Sequence, residues 1–401
     1  MRSRTSGTSR TSGTSPRRAH IAMIGNPVVS HTLPGIEIIR ELVARGHRVT
    51  YANDPLMRDL VTATGAELRP YRSTLPVADN DWPADPVEAM TVFLDDAVQM
   101  LPQLHELYDD DPADLYLYDI GGYAGRALAE SQGRPTLQIS PTYVAWDGPD
   151  DITAQIRALP GADAYFAKFA GWLAGNGATT LDPMEFSGRP VRAVATIPRA
   201  MQPHADRVDT GAVTFVGPCF GDRSDQGGWS RPAGARNVLL VSLGSAYTRQ
   251  PEFYRRCLAA FGDLPDWHVV LGIGKYVRAA ELGRIPDNVE VHSWLPQLAI
   301  LEQADAFVTH AGMGGCNEGL YAGVPMIAVP QGAEQFDNAD RLVSLGVARR
   351  IDTADATPEA LRAALLELTS DPEVARRSAA VRAESFGGTT LAADVAESLL
   401  P

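Results

Sequence analysis

From residue 19 onward, short continuous apolar runs bounded by turn residues alternate with stretches whose apolar positions recur every three or four residues. The first habit is that of a strand buried on both faces, the second that of a helix lying on a sheet. Residues 21–25 read as a strand and 49–52 as the next; between them 36–45 read as a helix that lines up Ile36, Ile39 and Val43 and stops at Gly46. This βαβ unit is followed by a helical pattern over 86–108, a strand over 115–119, a helix from Tyr123 and a strand over 136–139. A second series has strands at 238–243, 268–272, 289–292, 306–309 and 326–329, with helices over 252–261 and 297–303. Between the two, in GDRSDQGGWSRPAGAR (221–236), the pattern lapses and glycine, serine, proline and charge collect. The predicted fold class is therefore α/β, with two Rossmann-like, doubly wound parallel-sheet domains facing across a cleft. The expected boundaries are a first domain over 19–220, a linker over 221–236 and a second domain over 237–385, with residues 386–401 forming a C-terminal helix that packs back on the first domain. Residues 1–18 repeat Thr-Ser-Gly and lack large aliphatics after Met1, which predicts a disordered tail.

Composition narrows the partners. With 401 residues, 45% of them hydrophobic, the chain can bury one or two cores, while a formal net charge of −14 argues against nucleic acid or an anionic membrane surface. No apolar run reaches the roughly 20 residues of a membrane span. Three cysteines, Cys219, Cys257 and Cys316, show no CxxC spacing, and the eight histidines show no paired-ligand spacing. These features predict a cytoplasmic protein with small-molecule partners and no metal; whether it forms a homodimer is left open.

The segment HSWLPQLAILEQADAFVTHAGMGGCNEG (292–319) carries the most chemistry. A buried strand ends at Thr309, His310 and the glycines Gly312, Gly314 and Gly315 follow, and a helix begins. Such a turn presents backbone N–H groups and the positive end of a helix dipole to an anion, for which phosphate is the natural guest. His310 can donate to a diphosphate oxygen and Glu318 can accept from a ribose diol. Trp294 offers a flat face for a base and Gln297 an amide for its edge. Glu334 and Gln335 can hold sugar hydroxyls, and Ser245, after the first strand of this half, can meet phosphate. Each alone is an ordinary packing or surface residue; together, at carboxyl ends of strands in one domain, they describe base, ribose, diphosphate and sugar.

The combination W-x-P-Q, H-x-G-x-G-G-x-x-E, G-V-P-M and E-Q resembles the donor signature of family 1 glycosyltransferases of the GT-B fold, and the likeness spans nearly the whole chain after residue 19. Stretches such as IRELVARGHRVTYA and PMIAVPQ resemble the streptomycete macrolide glycosyltransferase type. The resemblance implies an inverting, metal-independent transferase that uses a UDP- or TDP-sugar and no cofactor. The sugar expected is glucose from UDP-glucose, moved to a lipophilic natural product such as a macrolide or other polyketide. It also implies donor roles for Ser245, Trp294, Gln297, His310, Gly314, Gly315, Glu318, Glu334 and Gln335, with glutamate at 334 where the family more often has aspartate.

The first domain departs from the family. Where a motif H-G-H-x-x-P is usual, this chain reads GNPVVSHTLP (25–34); matching His31 to the second histidine puts Val29 where the base would stand. Asp119, in LYLYDI, matches the aspartate that orients the base and is left without its partner. A placed general base contributes about 100- to 10,000-fold, so three readings stay open: Asp119 acts directly, as in carbon-linking relatives; a shift of the loop brings His31 to the acceptor; or the chain is a nucleotide-sugar-binding pseudoenzyme or auxiliary partner. An epimerase acting on the nucleotide sugar is a further alternative. Acceptor contacts are expected from Trp82, Met90, Phe93, Tyr143 and Trp146, whereas the stripe containing Phe169 and Trp172 is expected to be core.

Overall fold

The computed structural model describes residues 18–78, 82–148, 152–221, 223, 227–244, 248–332 and 334–401. Most of the tail and Ser245 therefore lie outside the described residues. The first sheet contains β1 (His20–Ile24), β2 (Arg48–Asn53), β3 (Glu67–Pro70), β4 (Leu115–Asp119), β5 (Thr136–Ser140), β6 (Ala193–Ala195) and β7 (Val213–Phe215), in the order β3-β2-β1-β4-β5-β6-β7. The second contains β8 (Asn237–Ser242), β9 (Trp267–Gly272), β10 (Val289–His292), β11 (Ala306–Thr309), β12 (Met326–Ala328) and β13 (Ala348–Arg350), in the order β10-β9-β8-β11-β12-β13. Neighbouring strands in both sheets are parallel. With helices on both faces, the strands are buried on both sides, which is why Val238–Val241 and Ile21–Ile24 are almost fully covered.

Strand order reverses between β1 and β4 in one sheet and between β8 and β11 in the other. A crevice opens at such a switch point, beyond the carboxyl ends of the strands. In the first sheet it is bordered by the Gly25–Val28 turn and Asp119; in the second by Leu243–Gly244 and His310–Gly312.

One helix begins earlier than its periodicity predicts. It spans Val29–Ala44 and carries Pro34 inside it, whereas the apolar stripe first becomes regular at Ile36. Proline costs one helical hydrogen bond and normally marks a boundary. Here the start is secured upstream: Asn26 accepts from the Val28 N–H (3.2 Å), and the Thr32 hydroxyl donates back to the Asn26 carbonyl (3.1 Å). His31 thus sits in the first turn of a helix, not in a loop.

The halves also touch away from the sheets. Arg341 donates to the Ala200 carbonyl, and Asn317 to that of Thr196 (3.4 Å). The last helix, Gly388–Glu397, lies on the Val29–Ala44 helix, where Arg45 pairs with Asp394 and Glu397 at 2.7 Å each and His47 meets Glu397 at 2.9 Å. No helix among the described residues is long and apolar enough to cross a membrane.

Candidate active site

Asp119 ends β4 with its side chain buried, and a lone buried carboxylate would be costly. It is heavily partnered. His31 Nδ1 lies 2.9 and 3.1 Å from its two oxygens, Asn26 Nδ2 donates to Oδ1 at 2.9 Å, and the Gly121 N–H donates to the same oxygen at 2.8 Å. This corrects the reading that leaves Asp119 without a partner: the early helix start turns His31 toward it, and Val29 is 46% exposed. Linear matching of the motif misses this because it counts residues along the chain, whereas a helical turn sets the direction in which each side chain projects.

The pairing fixes the imidazole. Asp119 as a carboxylate can only accept, so in the neutral imidazole Nδ1 carries the proton and Nε2 keeps its lone pair. The His31 side chain is 25% exposed and no described residue bonds Nε2. Burial alone would lower its pKa, but the Asp119 carboxylate, by charge and by hydrogen bond, together with the charge of Glu334 across the cleft, outweighs burial and holds it above 6.5. The same interaction stabilises the fold fully below pH 6.5 and is lost as pH rises through the raised native value.

Across the cleft, β11 runs into His310, Ala311 in the left-handed region (φ 62°) and Gly312, the N-cap of helix Met313–Ala322. That cap is made by no side chain, so the first-turn N–H groups face outward as helix starts do. Two glycines hold the imidazole of His310 between backbones: a Cβ would come within 2.4 Å of Nε2 at Gly312 and within 2.7 Å of Cε1 at Gly244, whose φ of 72° also favours glycine. Burial pushes His310 down to about 4, so it is neutral near pH 7 and offers an N–H. Space beside Gly314 is open, while Gly315 lies against Thr309.

The remaining donor candidates divide. Trp294 is 69% exposed, as a stacking platform requires. Gln297, expected to read a base edge, donates to Glu318 at 2.6 Å. Glu318 is also bonded by Arg223, a residue the sequence reading did not single out. Glu334 faces the cleft, whose walls desolvate its carboxyl and raise its pKa, with backbone hydrogen bonding and His31 opposing. Gln335 is buried and accepts from the Gln331 N–H (2.9 Å), tying down the loop before its helix.

Of the acceptor candidates, Trp82 and Phe93 stack with ring centroids 5.5 Å apart, and Phe93 lies 6.3 Å from the His31 ring. Met90 packs nearby on the same helix, against the first-domain core. Trp146 is not in that group: it is 7% exposed, in a core cluster shared by both halves and beside His204. Tyr143 packs on that same cluster, and burial pushes its hydroxyl pKa well up. Both follow β5, one strand further from the switch point, which explains the separation. Phe169 is core, at 0% exposure.

Known proteins resemble this chain in sequence and fold. Residues 224–380 match the family described as UDP-glucoronosyl and UDP-glucosyl transferase. The oleandomycin glycosyltransferase of Streptomyces antibioticus is 53% identical over 393 residues, covering 96% of this chain and 91% of that protein. The crystal structure of the glycotransferase of kitacinnamycin is 51% identical with a TM-score of 0.88, covering 96% of this chain and all of its own (100%). The calicheamicin glycosyltransferase CalG4 is 31% identical with a TM-score of 0.84, over 96% and 98% of the two chains.

Proposed function

From the premise that this chain belongs to the family 1 glycosyltransferases of the GT-B fold, we propose that it transfers glucose from UDP-glucose to a hydroxyl of a bulky, apolar natural product such as a macrolide. The observation that carries the reading is the His31–Asp119 pair, which engages Nδ1 and leaves Nε2 without a partner among the described residues. His31 takes the proton of the acceptor hydroxyl; the acceptor oxygen bonds to the anomeric carbon as the bond from that carbon to the diphosphate breaks, inverting the centre. The charge leaving on the diphosphate is received by His310 and the N–H groups opening helix Met313–Ala322, donors already oriented before the reaction. In this reading neither metal nor cofactor takes part. Trp82 and Phe93 give the acceptor its apolar wall. A binder without catalysis would lack a base, and His31 on Asp119 supports transfer over it, and supports His31 over Asp119 as the group that takes the proton.

The test is mass spectrometry of reactions that pair UDP-glucose and TDP-glucose with macrolide, flavonoid and anthraquinone acceptors. One added hexose with UDP-glucose and a macrolide is the expected result; hydrolysis or epimerisation of the donor without transfer would overturn it.

Two further outcomes follow from the geometry. The pH profile of kcat/KM should rise on its acidic side through a value above 6.5, because His31 must lose its proton to act and Asp119 resists that loss. In Asp119→Asn the limb should move to lower pH; a limb that stays in place would mean another group titrates. Gly312→Ala forces a methyl against His310 and should weaken UDP binding about tenfold by calorimetry, as the loss of one well-placed charge-assisted hydrogen bond would.

A further inference from the structure

Arg223 lies on the connection between the two sheets, with φ at 45° in the left-handed region. Its guanidinium covers the Phe220 ring at 4.6 Å and donates to one oxygen of Glu318. Gln297 Nε2 donates to the other oxygen at 2.6 Å. The Arg223 and Glu318 side chains are only 15% and 11% exposed, so water competes weakly for the pair. One helical turn further along, Tyr321 packs edge-on against Phe220 at 5.1 Å. The connection is thus seated by two contacts on the same helix whose N-terminus receives the diphosphate in the reading above.

Resting on that reading, we propose that Arg223 is a positioning residue that makes the enzyme select ribonucleoside over 2′-deoxyribonucleoside diphosphates. A carboxylate has about four lone-pair sites. Arg223 and Gln297 each take one, on opposite oxygens, so each oxygen retains a site and the carboxylate plane cannot turn. Held in this way, Glu318 can accept from the two neighbouring hydroxyls of a ribose together. A 2′-deoxy nucleotide supplies only one of those donors and leaves the other oxygen unmatched, a loss of the kind that discriminates strongly at a site built for a hydroxyl. With Arg223 removed, only Gln297 anchors the group; the carboxylate turns to suit one hydroxyl and the advantage of the second falls. Lysine would replace it only in part, because an ammonium does not lie flat on the Phe220 ring and is held less firmly against the one oxygen that Arg223 bonds.

The test compares UDP with 2′-deoxy-UDP, which differ only at the hydroxyl concerned, by calorimetry on the full chain. The wild type should bind UDP about tenfold more tightly. Arg223→Met should bring the ratio to about twofold by weakening UDP more than 2′-deoxy-UDP, and should raise KM for UDP-glucose while kcat stays within about twofold. Arg223→Lys should fall between the two, and adding Arg223→Met to Glu318→Gln should cost no more than Glu318→Gln alone, since Arg223 acts through that carboxylate. Equal weakening of both nucleotides, or a fall in kcat at constant KM, would overturn the role of Arg223 and leave the proposed function standing. Absence of UDP binding in the wild type would overturn the function and this inference with it.

Discussion

His31→Ala should lower kcat for transfer about 100- to 10,000-fold while leaving UDP affinity and thermal midpoint close to those of the wild type. The size follows from what the residue is asked to do. A neutral alcohol is a poor nucleophile near pH 7, and without a base its proton must leave to water while the new bond forms. The selectivity follows from position: His31 lies on the first-domain side of the cleft, at the helix start after β1, whereas the proposed diphosphate site lies at the switch point of the second sheet. Single-turnover rates with saturating UDP-glucose, beside calorimetry with UDP, separate the two. Transfer that survives at near wild-type rate would give the role of base to Asp119 itself.

Asp119→Asn should be the second most damaging change, lowering kcat about 100- to 1,000-fold. Asparagine keeps the shape but presents either an amide N–H or an uncharged oxygen to His31 Nδ1. In the first case the imidazole is driven to the tautomer whose Nε2 already bears a proton; in the second it loses the charge that sustains its basicity. The Asn26 amide and the Gly121 N–H, both donating to Asp119 Oδ1, would retain the loop geometry only in part, so a modest fall in thermal midpoint accompanies the loss. The contrast with His31→Ala is diagnostic. If Asp119 only orients His31, the double variant is no worse than His31→Ala alone; if each acts independently, the losses multiply.

How much of this was legible in the sequence depended on what kind of signal each element carries. Strands such as β8 and β11 are buried on both faces and read as unbroken apolar runs, so the second sheet was traced nearly to the residue at Ala306–Thr309. The short edge strands Val213–Phe215 and Ala348–Arg350 carry too few residues for any period to register, and in the second of these two arginines disguise a strand. The glycine turn before Met313 was legible because it is local: strand, turn and helix start lie within one short stretch of chain. The acceptor side was not, because stacking between Trp82 and Phe93 and the distance of both from Trp146 depend on which strand each residue follows in space. Arg223 gave no signal at all. Its partner is 95 positions away, and an arginine in a polar connection looks like any other solvated charge.

The return of helix Gly388–Glu397 to the Val29–Ala44 helix means that the chain crosses between the halves twice, and the crossings meet where a Cβ at Gly388 would fall 2.3 Å from the Val216 carbonyl oxygen. Exchanging sugar preferences between relatives by grafting one half onto another therefore needs two junctions. A hybrid cut once, within 221–236, would bring a foreign final helix against Arg45 and His47, parting them from Asp394 and Glu397, and would fail through its scaffold before its specificity could be measured.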